Sequence, residues 1–166
     1  MIGVMVPSVF AEISITDDST GGDCTTIGTW DSASKICTLT SDINDKIVIG
    51  SDGITLDGNG FILDILHDPY DGLSDAGIYS LDHSDLTIKN FNIISTSSQQ
   101  VPHGIKLQSN WHNDGLVYVK NIIIESNTFS QNNFIQSAIT LAPTLGGENL
   151  FPPTNFIIRN NIIDVF

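Results

Sequence analysis

The chain of 166 residues is strongly acidic: 19 Asp and Glu stand against 6 Lys and Arg, which gives a formal net charge of −13. Such a charge disfavours binding to nucleic acid or to an anionic membrane surface through bulk electrostatics. The length fits one domain, and the many Ile, Thr, Asn, Ser and Gly residues favour strands and tight turns over helices.

The first residues of the chain are apolar and end in Val9-Phe10-Ala11, which fits signal-peptide cleavage before Glu12. The basic n-region of a signal peptide is missing, so we interpret residues 1–11 as the remnant of a signal peptide, with a buried N-terminal strand as the alternative. No other segment approaches the ~18 apolar residues of a membrane span. We therefore expect an exported protein, extracellular or on the cell surface, without membrane insertion after signal removal.

Residues 12–43 form the predicted entry or cap region, which leads into the repeats. Cys24 and Cys37 enclose Trp30 in this region. In an exported protein an even pair of cysteines predicts a disulfide, and a loop of this size is worth ~3 kcal/mol in the chain-entropy model.

A repeat fills residues 44–166. In each repeat an alternating apolar strand runs into a residue suited to positive φ, and an apolar position follows three residues later. The four turn residues are Gly58, Asn90, Asn121 and Asn160. They lie 32, 31 and 39 residues apart (90−58, 121−90, 160−121). Strand repeats of this length predict a solenoid of stacked rungs.

A further strand precedes each later turn, in segments 77–81, 104–107 and 138–141, with Ile78, Ile105 and Ile139 in matching places. Each rung thus carries three short strands, and the predicted fold is an all-β parallel β-helix of about four rungs. Right-handed coiling follows from the bias of parallel crossovers. We expect the stacked turn asparagines to hydrogen-bond along the axis, each amide donating to the next carbonyl.

The last segment, residues 162–166, is an apolar strand without a polar cap. An uncapped solenoid end exposes core and strand edges that need covering. We interpret the sequence as a fragment of a longer β-helix, with burial of this end by another subunit, that is, self-association, as the alternative.

Three stretches carry a resemblance to a known family: residues 52–63 (DGITLDGNGFIL), residues 77–93 (GIYSLDHSDLTIKNFNI) and residues 104–129 (GIKL followed by VYVKNIIIESNTF). They resemble the right-handed β-helix repeats of the pectin-lyase-like superfamily, especially its NosD-like and carbohydrate-binding and sugar-hydrolysis group. Residues 24–43 resemble the entry region ahead of such helices in archaeal and bacterial surface proteins. The resemblance spans about residues 24–166 and implies the fold, but lyases, hydrolases, epimerases and adhesins all share it.

Directly before the turn residues stand Asp57, Lys89, Lys120 and Arg159. If the three basic residues share one column, rungs ~4.8 Å apart bring them into a cationic stripe that would grip the carboxylates of an acidic polysaccharide. The alternative is that their long side chains lie over the strands with the charged heads in water.

The loop at residues 109–115 carries Trp111 beside His112, and His103 precedes the Gly104 strand. Together they suggest a platform on which a sugar stacks next to titratable groups, whereas packing of the tryptophan beneath its own loop is the alternative. The His103-Gly104 pair is similar to the His-Gly element of polygalacturonases. The paired aspartates and the Asn-Thr-Asp and Arg-Ile-Lys motifs of that family are absent, so no catalytic residue is carried over.

Four aspartates gather in and before the loop at residues 67–75, and their oxygens suggest a Ca²⁺ site. They are Asp64, Asp68, Asp71 and Asp75. Their spacing matches no EF-hand, and turn-rich loops attract Asp in any case. No His or Cys cluster indicates copper or zinc, and no other cofactor is expected.

Two functional hypotheses follow. In the first, the chain is a secreted or cell-surface β-helix module that binds polysaccharide, as part of a lyase or hydrolase or without catalysis, and we favour binding over catalysis. In the second, it is a non-catalytic scaffold or adhesin rod that assembles end to end.

Overall fold

The computed structural model describes residues 12–66, 76–97, 101–109, 111–112, 115–116, 119–130, 135–143 and 154–164. Across these residues the chain is almost entirely β-structure, with a single helix of four residues. The N-terminal region comprises β1 (Glu12–Ile15), α1 (Cys24–Ile27), β2 (Gly28–Asp31) and β3 (Ile36–Leu39).

Four rungs of three principal strands each follow. The first contains β4 (Lys46–Ile49), β5 (Thr55–Asp57) and β6 (Ile62–Asp64). The second contains β7 (Ala76–Leu81), β8 (Thr87–Lys89) and β9 (Asn92–Ile94). The third contains β10 (Val101–Ser109), a small hairpin of β11 (Trp111–His112) and β12 (Gly115–Leu116), then β13 (Lys120–Glu125) and β14 (Thr128–Ser130). The fourth contains β15 (Ile135–Pro143), β16 (Thr154–Arg159) and β17 (Ile162–Asp164).

Equivalent strands stack into three sheets along the axis. Sheet A has the order β1-β4-β7-β10-β15, sheet B the order β16-β13-β8-β5-β3-β2, and sheet C the order β17-β14-β9-β6. All pairs within these sheets are parallel except β2 with β3. Leu63, Ile93, Phe129 and Ile163 lie in register on successive rungs. The fold is therefore a parallel β-solenoid, which confirms the predicted class; its handedness stays a prediction.

The core is a set of apolar columns inside the three sheets. Because side chains alternate along a strand, each strand sends one set of residues inward and the other outward. The inward residues of neighbouring rungs stack on one another and lose contact with water, which is the main favourable term in folding. The fully buried large side chains include Ile47, Leu56, Ile78, Ile88, Phe91 and Phe129. The expected match of Ile78, Ile105 and Ile139 in sheet A is confirmed by the register.

The N-terminal region closes one end of the solenoid and already joins its sheets. β1 pairs in parallel with β4, and β3 pairs in parallel with β5, because alternating apolar residues there match the pattern of the later rungs. The predicted disulfide between Cys24 and Cys37 is confirmed, with a Cα–Cα distance of 5.8 Å and both residues fully buried. The bond ties the short helix α1 to sheet B.

The turn column of the third rung differs from the prediction. Glu125 pairs with Lys89 and Arg159, so the residue that follows Asn90 and precedes Asn160 in the column is Ser126, not Asn121. Ser126 has φ 58°, beside 60° at Asn90 and 56° at Asn160. The inward residues of this rung are accordingly Ile122 and Ile124.

Each rung needs a positive φ at two places, before and after its strand in sheet B, and this explains the error. The entry column, at the start of the strand, contains Gly53 and Asp85 ahead of β5 and β8, and Asn121 and Asn155 at the second positions of β13 and β16. All four have positive φ. Asparagine suits either place, and Asn121 has apolar residues on both sides, so the sequence pattern fits both registers. The column after the strand, here called the exit column, then contains Gly58, Asn90, Ser126 and Asn160. Successive members of the exit column lie 32, 36 and 34 residues apart (90−58, 126−90, 160−126), which is more even than the predicted spacing.

Gly58 also differs from the prediction. It occupies the exit column, but the positive φ values of that turn fall on Asn59 and Gly60. The turn of the first rung is longer, since β6 starts five positions after β5 ends (62−57) and β9 starts three positions after β8 ends (92−89).

Stacked turn side chains do hydrogen-bond along the axis, but not among Asn90, Asn121 and Asn160 as expected; most of these bonds lie in the entry column. Asn155 Nδ2 donates to Asn121 Oδ1 at 3.1 Å, and Asn121 Nδ2 donates to Asp85 Oδ1 at 2.7 Å. In the exit column Asn90 Nδ2 donates to Asp57 Oδ1, which lies one position before Gly58.

The fourth rung carries exposed apolar residues. Ile158 and Ile163 continue inward columns that are fully buried at Ile124 and Phe129, yet they are 48% and 50% exposed. Within the described chain no further strand stacks on them.

Candidate functional site

The column before the exit turns carries alternating charges. It consists of Asp57, Lys89, Glu125 and Arg159, in register on four successive strands of sheet B. Lys120 lies at the opposite end of β13, where it pairs with Thr154 and is exposed. The expected column of Lys89, Lys120 and Arg159 is therefore wrong, because the register of the third rung places an acid between the two remaining bases.

The opposite charges of this column pair along the axis. Lys89 Nζ lies 3.2 Å from Asp57 Oδ2, and Arg159 donates through Nε and Nη2 to Glu125 Oε2 at 2.6 Å each. Burial is the largest influence on Asp57 and acts to raise its pKa. Hydrogen bonds from Asn90 and Asn59 and the nearby Lys89 together outweigh it, and the pKa of Asp57 is lowered. The column is thus a neutralised surface and not a cationic stripe.

An open groove lies beside this column, at the corner between sheets B and C. It has a volume of about 310 Å³ and is lined by amides, a hydroxyl and backbone. The lining residues are Asn59, Gly60, Asn90, Asn92 and Ser126. We call this cleft the amide groove. The turn geometry creates it, since Asn59, Gly60, Asn90 and Ser126 all have positive φ.

Hydrogen bonds fix the orientation of the three amides. Nδ2 of Asn90 donates to Asp57 Oδ1 at 2.9 Å, and Nδ2 of Asn92 donates to the Gly60 carbonyl at 2.6 Å. Nδ2 of Asn59 donates to the Leu39 carbonyl at 3.3 Å. Carboxylate and carbonyl oxygens only accept hydrogen bonds, so the NH₂ groups must face them.

The three amide Oδ1 atoms are consequently left as acceptors. None of these three oxygens accepts a hydrogen bond from any residue that the structure describes. The groove therefore offers acceptors to a ligand that carries hydroxyl donors. Sequence reasoning named only Asn90 here, as a turn residue. The Gly58-Asn59-Gly60 turn of the first rung was the available signal, but only the stacking of rungs brings Asn59, Asn92 and Ser126 to one cleft.

His103 lies half-buried on β10, and its partners come from the next rung. Its Nδ1 is 2.8 Å from Thr140 Oγ1, and Thr140 Oγ1 is 3.0 Å from Ser137 Oγ. Burial, followed by the positive charge of Lys106, lowers the pKa of His103. Sequence reasoning selected the histidine but missed both hydroxyls, because they lie more than 30 residues away in the chain and meet it only through the β10–β15 pairing.

For Trp111 and His112, the other residues of the expected sugar platform, the structure describes only the backbone. In the β11–β12 hairpin, Trp111 lies opposite Leu116, and His112 lies opposite Gly115. The side chains of Trp111 and His112 fall outside the described part of the structure. The platform stays a prediction.

Of the expected calcium ligands, the structure describes only Asp64. Its Oδ1 accepts a hydrogen bond from the Thr96 N–H at 2.8 Å and its Oδ2 one from Thr96 Oγ1 at 2.6 Å, so both oxygens join neighbouring rungs. Asp68, Asp71 and Asp75 lie outside the described residues. Within the described part no group of three His, Cys, Asp or Glu is placed to hold a metal ion, and the calcium site stays a prediction.

No family model, curated protein or solved structure matches this chain. Over the residues that the structure covers, no helix has the length and apolarity needed to cross a membrane.

Proposed function

We propose that this chain is a secreted or cell-surface β-solenoid module that binds neutral polysaccharide in the amide groove. The observation that carries the proposal is the set of three amide oxygens whose NH₂ groups are already engaged. Sugar hydroxyls are donors that suit such acceptors, and polar groups held in place by a scaffold bind without an ordering cost.

Charge favours a neutral ligand over an acidic one. The net charge of −13 repels polyanions, and the bases beside the groove are paired with Asp57 and Glu125. None of the described residues that line the amide groove has a titratable side chain. We therefore infer binding and no catalytic step at this groove.

Export and family placement belong to the same proposal. The buried Cys24–Cys37 disulfide supports an oxidising compartment, since such bonds are rare in the cytosol. The rung pattern of residues 52–63 and 77–93 supports placement among the pectin-lyase-like β-helix proteins of the NosD-like and carbohydrate-binding group.

The test is a binding screen of the full chain against immobilised neutral and acidic polysaccharides, followed by titration of any ligand found. We expect saturable binding to a neutral polymer and none to polyuronates. Asn92→Ala should weaken binding at least ~10-fold, because a ligand hydroxyl left without its acceptor costs about 1–3 kcal/mol. Asn44→Ala is the matched control, an exposed asparagine away from the groove. Equal binding by a natively folded Asn92→Ala variant, or no binding to any neutral polymer, would overturn the proposal.

The exposed isoleucines of the fourth rung favour a second candidate function, a structural rod that assembles end to end. Ile157, Ile158, Ile162 and Ile163 are 46–62% exposed. Exposed apolar patches of this kind mark association sites. Light scattering of the full chain tests it: we expect association that rises with concentration and is abolished by Ile158→Asp plus Ile163→Asp. A monomer at all concentrations would contradict the rod.

A further inference from the structure

A chain of side-chain hydrogen bonds starts at His103 and ends at a backbone carbonyl. Ser137 Oγ lies 3.1 Å from the Ile139 carbonyl oxygen, which can only accept. Ser137 therefore gives its hydroxyl hydrogen to Ile139, and its Oγ accepts from Thr140 at 3.0 Å. Thr140 has one hydroxyl hydrogen, and it donates this hydrogen to Ser137.

This direction sets the tautomer of the imidazole. Thr140 Oγ1, 2.8 Å from His103 Nδ1, has no hydrogen left to donate, so Nδ1 must carry the proton and donate. In neutral His103 the lone pair then resides on Nε2. Which ring nitrogen carries the proton is fixed by the hydrogen bond that the other one makes.

Nε2 has no hydrogen-bond partner among the described residues. The ring is half-buried, and among the described residues only Thr140 forms a hydrogen bond with it. Protonation of Nε2 leaves the Nδ1–H bond to Thr140 intact, so His103 can accept a proton without breaking the link between β10 and β15. A group that titrates without disturbing its scaffold suits proton transfer better than a conformational switch.

The surrounding charge favours the neutral base. Lys106 is the charged group that acts on His103, it lies on β10 in register with Thr140 and Tyr79, and it is 5% exposed. Its positive charge also stabilises an anion that forms beside the ring. Lys106 also has an interaction partner of its own.

We propose that His103 forms a second site, on sheet A, where Nε2 is a general base for a ligand hydroxyl or water. Thr140 and Ser137 are positioning residues that hold the Nδ1–H tautomer. The site is separate from the amide groove and does not rest on the proposed polysaccharide binding.

Hydrolysis of an activated ester illustrates the step. Nε2 takes one proton from a water molecule while the water oxygen forms a bond to the ester carbonyl carbon. The tetrahedral anion collapses with cleavage of the bond to the alcohol oxygen, which leaves as an anion, and the imidazolium returns its proton to the solvent. The products are the carboxylic acid and, once its anion has taken a proton from the solvent, the alcohol; no other reactant is consumed.

The first measurement is the ¹⁵N spectrum of the histidine rings in the full chain across pH 4–9. We expect neutral His103 to show a protonated Nδ1 and an unprotonated Nε2. Thr140→Val should mix the tautomers, and Thr140→Ser should restore a single one. A protonated Nε2 in the wild-type chain would overturn the proposal.

The second measurement is the rate of p-nitrophenyl acetate hydrolysis, a probe for an exposed base. We expect His103→Gln to lower the protein-catalysed rate by roughly tenfold or more, since a positioned base contributes at least that much. The rate should fall with decreasing pH along the titration of His103. His83→Gln is the control, because this histidine is likewise half-buried but pairs with Asp52 elsewhere, and its loss should leave the pH profile unchanged. A His103→Gln rate equal to wild type would overturn the proposal, and neutral-polysaccharide binding by this variant is expected to be unchanged.

Discussion

Asn161 accepts two hydrogen bonds from Asn127, the residue at the equivalent position one rung earlier. The backbone N–H of Asn127 donates to Asn161 Oδ1 at 3.0 Å, and its Nδ2 donates to the same atom at 3.1 Å. Asn127 repeats the arrangement with the preceding rung, since its Oδ1 accepts the Phe91 N–H at 3.0 Å. At this turn the asparagines thus occupy the positions that Phe61 and Phe91 hold in the first two rungs.

Replacing Asn127 by Leu should cost about 3 kcal/mol of unfolding free energy. Asn127 is fully buried, and its loss leaves the Phe91 N–H and the Ile88 carbonyl without these partners, at about 1–3 kcal/mol for each unpaired group. Urea unfolding followed by circular dichroism measures the change. The half-buried Asn161 provides the comparison, and Asn161→Leu should cost less. Equal costs would argue against this account.

The charge column predicts unequal effects of two lysine substitutions. Lys89→Glu places three acids on successive strands of sheet B and should destabilise the fold by about 1 kcal/mol, because like charges directly opposite repel. Lys120→Glu lies outside the column and should stay within about 0.5 kcal/mol of wild type. Thermal unfolding at low and high salt tests both, and salt should shrink the Lys89→Glu effect. Equal effects would contradict the register of the third rung.

The turn at Ser126 offers a stabilising substitution. Ser126 adopts φ 58°, a region that asparagine visits more readily than serine. Ser126→Asn should therefore raise the unfolding free energy by about 0.5 kcal/mol, and Asn90→Ala should lower it by about 1 kcal/mol. Chemical denaturation of the two variants gives the sign. A loss of stability in Ser126→Asn would mean that the turn tolerates serine for another reason.

The disulfide should contribute about 3 kcal/mol. Cys24→Ala plus Cys37→Ala is the suitable variant, because both positions are fully buried and alanine leaves no unpaired polar group. We expect a lower melting temperature with the same circular dichroism spectrum. Reduction of the wild-type chain should have a comparable effect, whereas an unchanged melting temperature in both experiments would show that the bond is dispensable.

The lowered pKa of His103 predicts a pH dependence of stability. An unfolded histidine titrates near 6.5, so below that pH the unfolded chain binds more protons at this site than the folded chain. Stability should therefore fall as the pH decreases from about 6.5 through the folded pKa, and the loss is complete below it. His103→Gln should flatten this part of the curve relative to His83→Gln. Identical curves for the two variants would count against a lowered pKa.

For His103 and for the amide groove, the sequence indicated which types of residue could bind a ligand but not which of them lie together. His103 stands out in a sequence with 4 histidines, but Thr140 and Ser137 are ordinary strand residues until β15 pairs with β10. Asn92 and Asn59 likewise look like solvent-facing turn residues. They share one groove because the first-rung turn is longer and shifts Asn59 and Gly60 toward the second rung. The local sequence pattern does not reveal this shift.

The sequence by itself determined the architecture. Alternation of Leu56, Ile88 and their neighbours fixes which face is buried, and positive-φ residues at near-regular spacing fix where the chain turns, because both are local properties of the backbone. Only the tertiary structure decided which residues stack. Asparagine is acceptable at both turns of a rung, so local energetics cannot distinguish Asn121 from Ser126. Packing Ile124 and Phe129 into the core settles the register, and with it the pairing of charges from Asp57 to Arg159.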